Sequence, residues 1–270
     1  MSDVKLYQGD CLEVMKNIPD GSVDMVLCDL PYGTTACKWD TIIPFEPLWK
    51  QYKRVCKPNG VIALFGIEPF SSMLRTTNIN MFKYDWIWEK SKCANFMNAK
   101  YTPLYKHEII SIFYKQTPTY NPQMKPINPY SRNRKACQPE FANPGLDSPV
   151  FNQSNGDGYP TTIIYFKCVS NNGTNAERTA NSLHPTQKPV DLLQYLIKTY
   201  TNEGDTVLDN CMGSGSTGVA AKMLNRNFIG IELDENYFKI AEERINNVEY
   251  GIFDTKSNTS NISNNRNKLF

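Results

Sequence analysis

The 270-residue chain predicts an α/β fold, a sheet whose strands are joined by crossover helices, with one lobe inserted into it. Two observations carry this. Short apolar runs alternate with segments whose apolar residues recur at helical spacing, the pattern of β-α-β units. From Gln116 to Leu183 that alternation lapses into a stretch rich in Pro, Asn, Ser and Gly. Connections this long in a compact domain usually serve a function, so the stretch reads as a recognition lobe.

Each element has its own signal. "VDMVLCDL" reads as a buried strand ending at Asp29. In "PFEPLWKQYKRVCKPNG", Phe45, Leu48, Trp49, Tyr52, Val55 and Cys56 fall on one helical face, and Pro58-Asn59-Gly60 stops the helix. "VIALFG" is the next strand, and "YDWIWEK" and "HEIISIFYK" are further strands toward one edge. Inside the lobe only "TTIIYF" reads as a strand, beside a basic knot, "SRNRKA". Pro189 can open a helix carrying Leu192, Leu193, Leu196 and Ile197. Strand "TVLDN", a glycine loop, helix "TGVAAKMLN", strand "NFIGIEL" and helix "DENYFKIAEERI" follow. The end of the chain lacks apolar periodicity and reads as a mobile tail. The expected divisions are 1–115, 116–183, 184–245 and 246–270.

Composition excludes several classes. A net charge of +2 is too mild to indicate nucleic-acid binding, so any such claim must rest on local charge. The eight cysteines show no C-x-x-C pair and read as reduced thiols. With two histidines and no Cys/His cluster, no metal site is expected. No signal pattern and no apolar run of membrane-spanning length is present, so a cytoplasmic protein without membrane contact is expected.

"LDNCMGSGSTG" contains Gly213-x-Gly215-x-x-Gly218, and Glu232 lies one β-α-β step further on, where it can accept from both ribose hydroxyls. A dinucleotide and S-adenosylmethionine fit this pattern equally well, and a plain glycine turn would resemble it. Asp209, at the strand end before the glycines, separates them. Its charge would repel a pyrophosphate but suits a ligand carrying an ammonium and a sulfonium.

Strand "VDMVLC" delivers "DLPYG", Asp29 to Gly33, toward the same sheet edge. Alone, such a stretch is a common turn. Together, "DLPYG", then "HPTQKP" at His184 to Pro189, then "LDNCMGSGST" resemble the β class of DNA amino-methyltransferases. The resemblance spans roughly Lys5 to Ile245 and includes "GDCLEVM", "WEKSKCANFMNAKYTPLYKHEIISIFYK" and the "WD" after the catalytic loop. It implies a Rossmann-like mixed sheet with circularly permuted motif order, an inserted target-recognition lobe, S-adenosylmethionine as cofactor, double-stranded DNA as partner, and homodimers as a frequent state.

By that resemblance Asp29, Leu30, Pro31 and Tyr32 form the catalytic turn. The Asp29 carboxylate and the Leu30 carbonyl grip the amine of a flipped-out base, and Tyr32 stacks on it. Leu30 departs from the family, which has proline there. Asp29 at the first position is more like the adenine-modifying members than the cytosine-modifying ones, and N4 of cytosine is the alternative target. The resemblance gives Asp10 to the cofactor's adenine, Glu232 to its ribose, the turn with Gly213, Ser214, Gly215 and Thr217 to the methionyl part, and Thr186 with Lys188 to its carboxylate. Lys188 also reads simply as a charge before a helix. Lys90, Lys92, Lys100 and Lys106, interleaved with aromatics, and Arg132, Arg134 and Lys135 in the lobe are candidate DNA contacts. A nicotinamide-dependent oxidoreductase and a non-catalytic DNA-binding protein are the alternatives from other classes.

Overall fold

A computed structural model of the chain describes residues 2–34, 40–128, 130–133, 151–154, 156–169 and 187–248. In chain order the elements are β1 (Val4–Gln8), α1 (Cys11–Met15), β2 (Val23–Cys28), α2 (Phe45–Val55), β3 (Cys56–Gly66), α3 (Phe70–Thr77), β4 (Phe82–Ala94) and β5 (Tyr105–Tyr114). There follow β6 (Lys125–Pro126), β7 (Tyr130–Asn133), β8 (Phe151–Ser154), β9 (Asp157–Gly158), β10 (Ile163–Phe166), α4 (Val190–Tyr200), β11 (Thr206–Asp209), α5 (Ser216–Met223), β12 (Asn227–Glu232) and α6 (Glu235–Asn246).

Eight strands form one mixed sheet in the order β1-β12-β11-β2-β3-β5-β4-β10. Its first five strands are mutually parallel, β5 is antiparallel to both β3 and β4, and β10 is parallel to β4. The strand "VDMVLC" is apolar on both faces because helices cover both. Met25 and Leu27 pack with α4, α5 and α6, while Val26 and Cys28 pack with α1, α2 and α3. In α2 the stripe of Leu48, Trp49, Tyr52 and Val55 is buried, as the helical spacing requires.

Sequence and structure differ in three places. Pro58-Asn59-Gly60 lies inside β3 instead of in a loop between helix and strand. The pairing jumps from Val23↔Cys56 to Met25↔Val61, so the surplus residues bulge from the ladder and keep their turn chemistry within a strand. Second, β1, α1 and α3 carry no legible periodicity, being only partly apolar, although α1 falls within the family-like stretch "GDCLEVM". Third, the described residues between 116 and 183 hold two small ladders, β6 with β9 and β7 with β8, besides β10. The strand β10 is itself the edge of the main sheet, with Ile164 buried in the core.

The arrangement creates a switch point. After β11 the chain crosses by α5 to β12 on one side, whereas after β2 it crosses by α2 to β3 on the other. Between the carboxyl ends of such strands a crevice opens, the usual ligand position in this kind of sheet. Because β4 runs in the same direction as β2 and β11, the connection from β4 to β5 rises from that same edge.

Candidate active site

At the carboxyl ends of β2, β11 and β12 the structure has a cavity of about 680 Å³, large enough for a nucleoside-sized ligand with a second group beside it. Both acidic strand tips reach it: Asp29, directly after β2, and Asp209, the last residue of β11.

The Asp29 turn is held by side chains. Tyr32 donates its hydroxyl to Asp29 Oδ1 at 2.5 Å, and its ring lies 5.0 Å from that of Phe70 in α3. Leu30 is 4% exposed, so burial in the α2 and α3 core anchors this position of the turn. The Asp40 carboxylate accepts from the amides of Gly33 and Thr34, each at 2.9 Å, and fixes the end of the turn. Lys188, 8% exposed and just before α4, donates to Asp29 Oδ2 at 2.5 Å and lies 3.3 Å from Glu108 Oε2. Glu108 Oε1 accepts from Lys90 at 2.6 Å. Two carboxylates and two ammoniums thus form one compensated cluster.

The electrostatics follow from that pairing. Burial opposes the charge of Lys188, but Asp29 and Glu108 outweigh it and raise the ammonium's pKa. Burial likewise opposes the charge of Glu108, and Lys188 and Lys90 outweigh it, lowering the carboxyl. Burial, with the nearby Asp29 charge, pushes the Tyr32 phenol well up, so it stays a donor.

The glycine turn is held by main-chain contacts instead. Asp209 is 3% exposed and accepts from the Cys211 amide at 3.1 Å. Burial pushes its carboxyl up to about 6, although the Thr217 hydroxyl and that amide oppose the shift. Glu232 accepts from the Gly213 amide at 2.8 Å through Oε2 and from the Asp234 amide at 2.9 Å through Oε1, and burial raises its carboxyl. Gly215 caps α5 at φ 79°, and a Cβ there would come within 2.9 Å of Ala241. Glycine is therefore required twice over, by conformation and by the close approach of α6. From α6, Arg244 braces the turn through the Ser214 carbonyl and, at 2.9 Å, its hydroxyl. Asp10 caps α1 by accepting from the Leu12 and Glu13 amides at 2.8 and 3.1 Å, and the preceding Gly9 amide donates to the Glu232 carbonyl.

These contacts bear on which nucleotide cofactor the residues suit. A pyrophosphate is ordinarily bound by free amide hydrogens at such a turn. Here the Gly213 amide is already bonded to the Glu232 carboxylate, and Asp10, Asp209 and Glu232 would all repel phosphate charge. These carboxylate acceptors fit the cationic S-adenosylmethionine. Each carboxylate oxygen of Glu232 keeps a lone pair for a ribose hydroxyl.

The cavity brings together Asp29, Leu30, Pro31 and Tyr32 from the first motif with Lys188 and Lys90. It is also lined by Asp10, Asp209, Gly213, Ser214, Thr217 and Glu232, while Gly215 lies beside them at the cap of α5. The resemblance gives Lys188 to the cofactor's carboxylate, and in the structure its ammonium is paired with Asp29. Lys90, a candidate DNA contact, is paired with Glu108. Lys92, Lys100 and Lys106 lie outside the cavity lining, on the β4–β5 hairpin and its flanks, with Lys106 bonded to Glu89 at 2.7 Å. Arg132 lies in β7. Thr186, His184, Arg134, Lys135 and the tail beyond Val248 lie outside the described residues.

Sequence reasoning did not single out Glu108, Asp40 or Arg244. Glu108 and Asp40 stand within stretches that carried the family resemblance, "KHEIIS" and "WD", which was the available signal. Arg244 had none. Among the described residues there is no metal-binding group of three, the described cysteines are free thiols, and no helix is long and apolar enough to cross a membrane.

Comparison with known proteins agrees with this geometry. The chain is 28% identical over 267 residues to the type II methyltransferase M.HpaI of Haemophilus parainfluenzae, covering 94% of this chain and 77% of that protein. It is 26% identical to the type II methyltransferase M2.MboI of Moraxella bovis, covering 90% and 88%. Among solved structures, the M1.HpyAVI-SAM complex superposes with a TM-score of 0.60 at 25% identity, covering 89% of this chain and 99% of that one. The cytosine-N4-specific PvuII DNA methyltransferase shares the fold, with a TM-score of 0.65 at 17% identity over 92% and 89%. Residues 23–243 match the sequence profile of the N6_N4_Mtase family, described as DNA methylase, and the chain belongs to that S-adenosylmethionine-dependent family.

Proposed function

We propose that the protein methylates the exocyclic N6 amine of adenine at a specific site in double-stranded DNA. The observation that carries this reading is the meeting of two acidic tips, Asp29 after β2 and Asp209 on β11, in one cavity at adjacent strand ends. On this reading one tip holds the cofactor and the other the amine within the same cavity.

When bound, S-adenosylmethionine supplies an electrophilic methyl group on a sulfonium. Asp209 would face the ligand's positive charge, Glu232 would take the ribose hydroxyls, and Asp10 would take the adenine amine. Ser214 and Thr217 would receive the methionyl part on the turn that Gly213 and Gly215 shape. Asp29 and the Leu30 carbonyl accept from the two N–H bonds of the target amine. This favours a pyramidal nitrogen and frees the lone pair that ring conjugation otherwise withholds, and it stabilises the positive charge that develops there. The cationic product loses its proton readily, so no strong base is required. Tyr32, with its hydroxyl on Asp29 and one side of its ring near Phe70, offers the extruded base a stacking surface worth about 1–3 kcal/mol. That offsets much of the few kcal/mol that flipping costs.

The duplex approaches the carboxyl edge, where the β4–β5 hairpin presents Phe96, Met97 and Tyr101, 64%, 94% and 85% exposed, beside Lys92 and Lys100. Apolar and aromatic side chains flanked by lysines suit bases and phosphates respectively. Asp29 at the head of the motif favours adenine over cytosine. The test is to incubate DNA with purified protein and S-adenosylmethionine, digest it to nucleosides, and sequence the modified sites. N6-methyladenine in one sequence context is the expected product. N4-methylcytosine would replace the adenine reading, and unmodified DNA would remove the proposal.

A further inference from the structure

We propose that Glu108 is a positioning residue for Asp29, acting through Lys188. It holds a place to which the lysine withdraws, so that Asp29 can accept the target amine. The inference rests on the reading of Asp29 as that acceptor.

Both oxygens of Asp29 are engaged, Oδ1 by the Tyr32 hydroxyl and Oδ2 by Lys188, each at 2.5 Å. Each oxygen keeps a further lone pair, but an ammonium on Oδ2 is a stronger partner than a neutral amine and weakens that oxygen as an acceptor for the amine's N–H. Lys188 is buried, so it cannot swing out to solvent without losing the charges that compensate it. Its other neighbour is Glu108, whose Oε1 is taken by Lys90. The remaining oxygen, Oε2, is buried, lies at ion-pair distance from Lys188 Nζ, 3.3 Å, and has no aligned hydrogen-bond donor among the described residues. A buried carboxylate oxygen held by an ion pair alone is short of the hydrogen bond such a group ordinarily makes. A shift of roughly 0.5 Å would bring the ammonium to the length of a charge-assisted bond with Oε2 and relax its grip on Asp29.

The movement leaves the balance of charge unchanged. No proton changes owner. The Phe65 ring, its centroid 5.1 Å from Nζ, flanks the ammonium. The directions of shift at Glu108 and Lys188, down and up, agree with both groups staying charged throughout.

The test is a double-mutant cycle read by single-turnover methyl transfer to DNA, with S-adenosylmethionine affinity measured separately by calorimetry. Glu108→Gln keeps the side chain's shape but removes the charge that receives Lys188. It is expected to slow transfer about tenfold or more while changing cofactor affinity less than about twofold, with Glu108→Asp recovering part of the rate. In a Lys188→Met background, where no ammonium needs to withdraw, Glu108→Gln should cost less than about threefold. A wild-type rate for Glu108→Gln, equal losses in both backgrounds, or a loss confined to cofactor affinity would each overturn the proposal. If the wild-type protein transfers no methyl to DNA, the functional reading fails first and takes this one with it. Activity in the wild type with no effect at Glu108 sinks this one alone.

Discussion

The two turns that share the cavity each rest on backbone amides bonded to carboxylates, and they differ in the charges around them. The glycine turn after β11 is held by amides on the carboxylates of Asp209 and Glu232, by the close approach of α6 to Gly215, and by Arg244 on Ser214. The end of the Asp29 turn is held by amides on Asp40, but Asp29 itself lies in an ion-pair cluster, with Lys188 shared between Asp29 and Glu108. Main-chain contacts and tight packing leave one arrangement available, which suits a site that binds the same cofactor in every cycle. A cluster of two cations and two anions can redistribute its contacts at little cost, which suits a site that must release one partner to accept another. On the proposed reading, preorganisation is placed on the cofactor side and adjustability on the side of the base.

Substitutions can break this contrast at either end. The largest effect is expected for Asp29→Ala, which should reduce methyl transfer by about 10²–10³-fold while leaving cofactor affinity within a few-fold, as single-turnover kinetics and calorimetry would read. Equal losses in both would mean that the two turns are not separable. Next, Gly215→Val places a β-branched side chain at φ 79° against Ala241. It should destabilise the fold by about 1–3 kcal/mol in chemical unfolding and abolish measurable cofactor binding. A well-folded variant that still binds would show that the turn is softer than its packing implies.

Acidity sharpens the same comparison. The carboxyl of Asp209 is pushed up to about 6, above its ordinary value near 3.8, so burial favours its neutral form. Its contribution to stability without cofactor is therefore fully present below about 3.8 and is lost as pH rises through about 6. A cationic ligand needs the ionised form. Cofactor affinity should accordingly weaken by up to about tenfold per pH unit below 6, and Asp209→Asn should flatten that dependence in calorimetric titrations. An unchanged slope in the variant would assign the titration to another group. The smallest effect is expected at the hairpin. Tyr101→Ala should weaken DNA binding by about 1 kcal/mol without altering cofactor affinity, as fluorescence anisotropy would detect.

Much of the architecture was legible because it rests on periodicity. "VDMVLC", "VIALFG" and the stripe of α2 are long and strongly patterned, and β11, α5, β12 and α6 follow in the expected order. The short elements β1, α1 and α3 were not legible, because few residues repeat and their burial comes from neighbours distant in sequence. Pro58-Asn59-Gly60 misled for a related reason. Turn residues inside a strand produce a bulge only when a partner strand imposes the register, as β2 does here.

The order and spacing of "DLPYG", "HPTQKP" and "LDNCMGSGSTG" determined by themselves the family, the cofactor and the residues to examine, since local chemistry of turns and strand ends is written in contiguous residues. Only the tertiary structure decided that Lys188 lies on Asp29 and that Glu108, 80 positions away in the chain, waits beside it with a buried oxygen. Charge pairing inside a protein depends on distance and burial, and neither is encoded at any single position. They arise when the sheet brings the end of β2, the middle of β5 and the residue before α4 to one place.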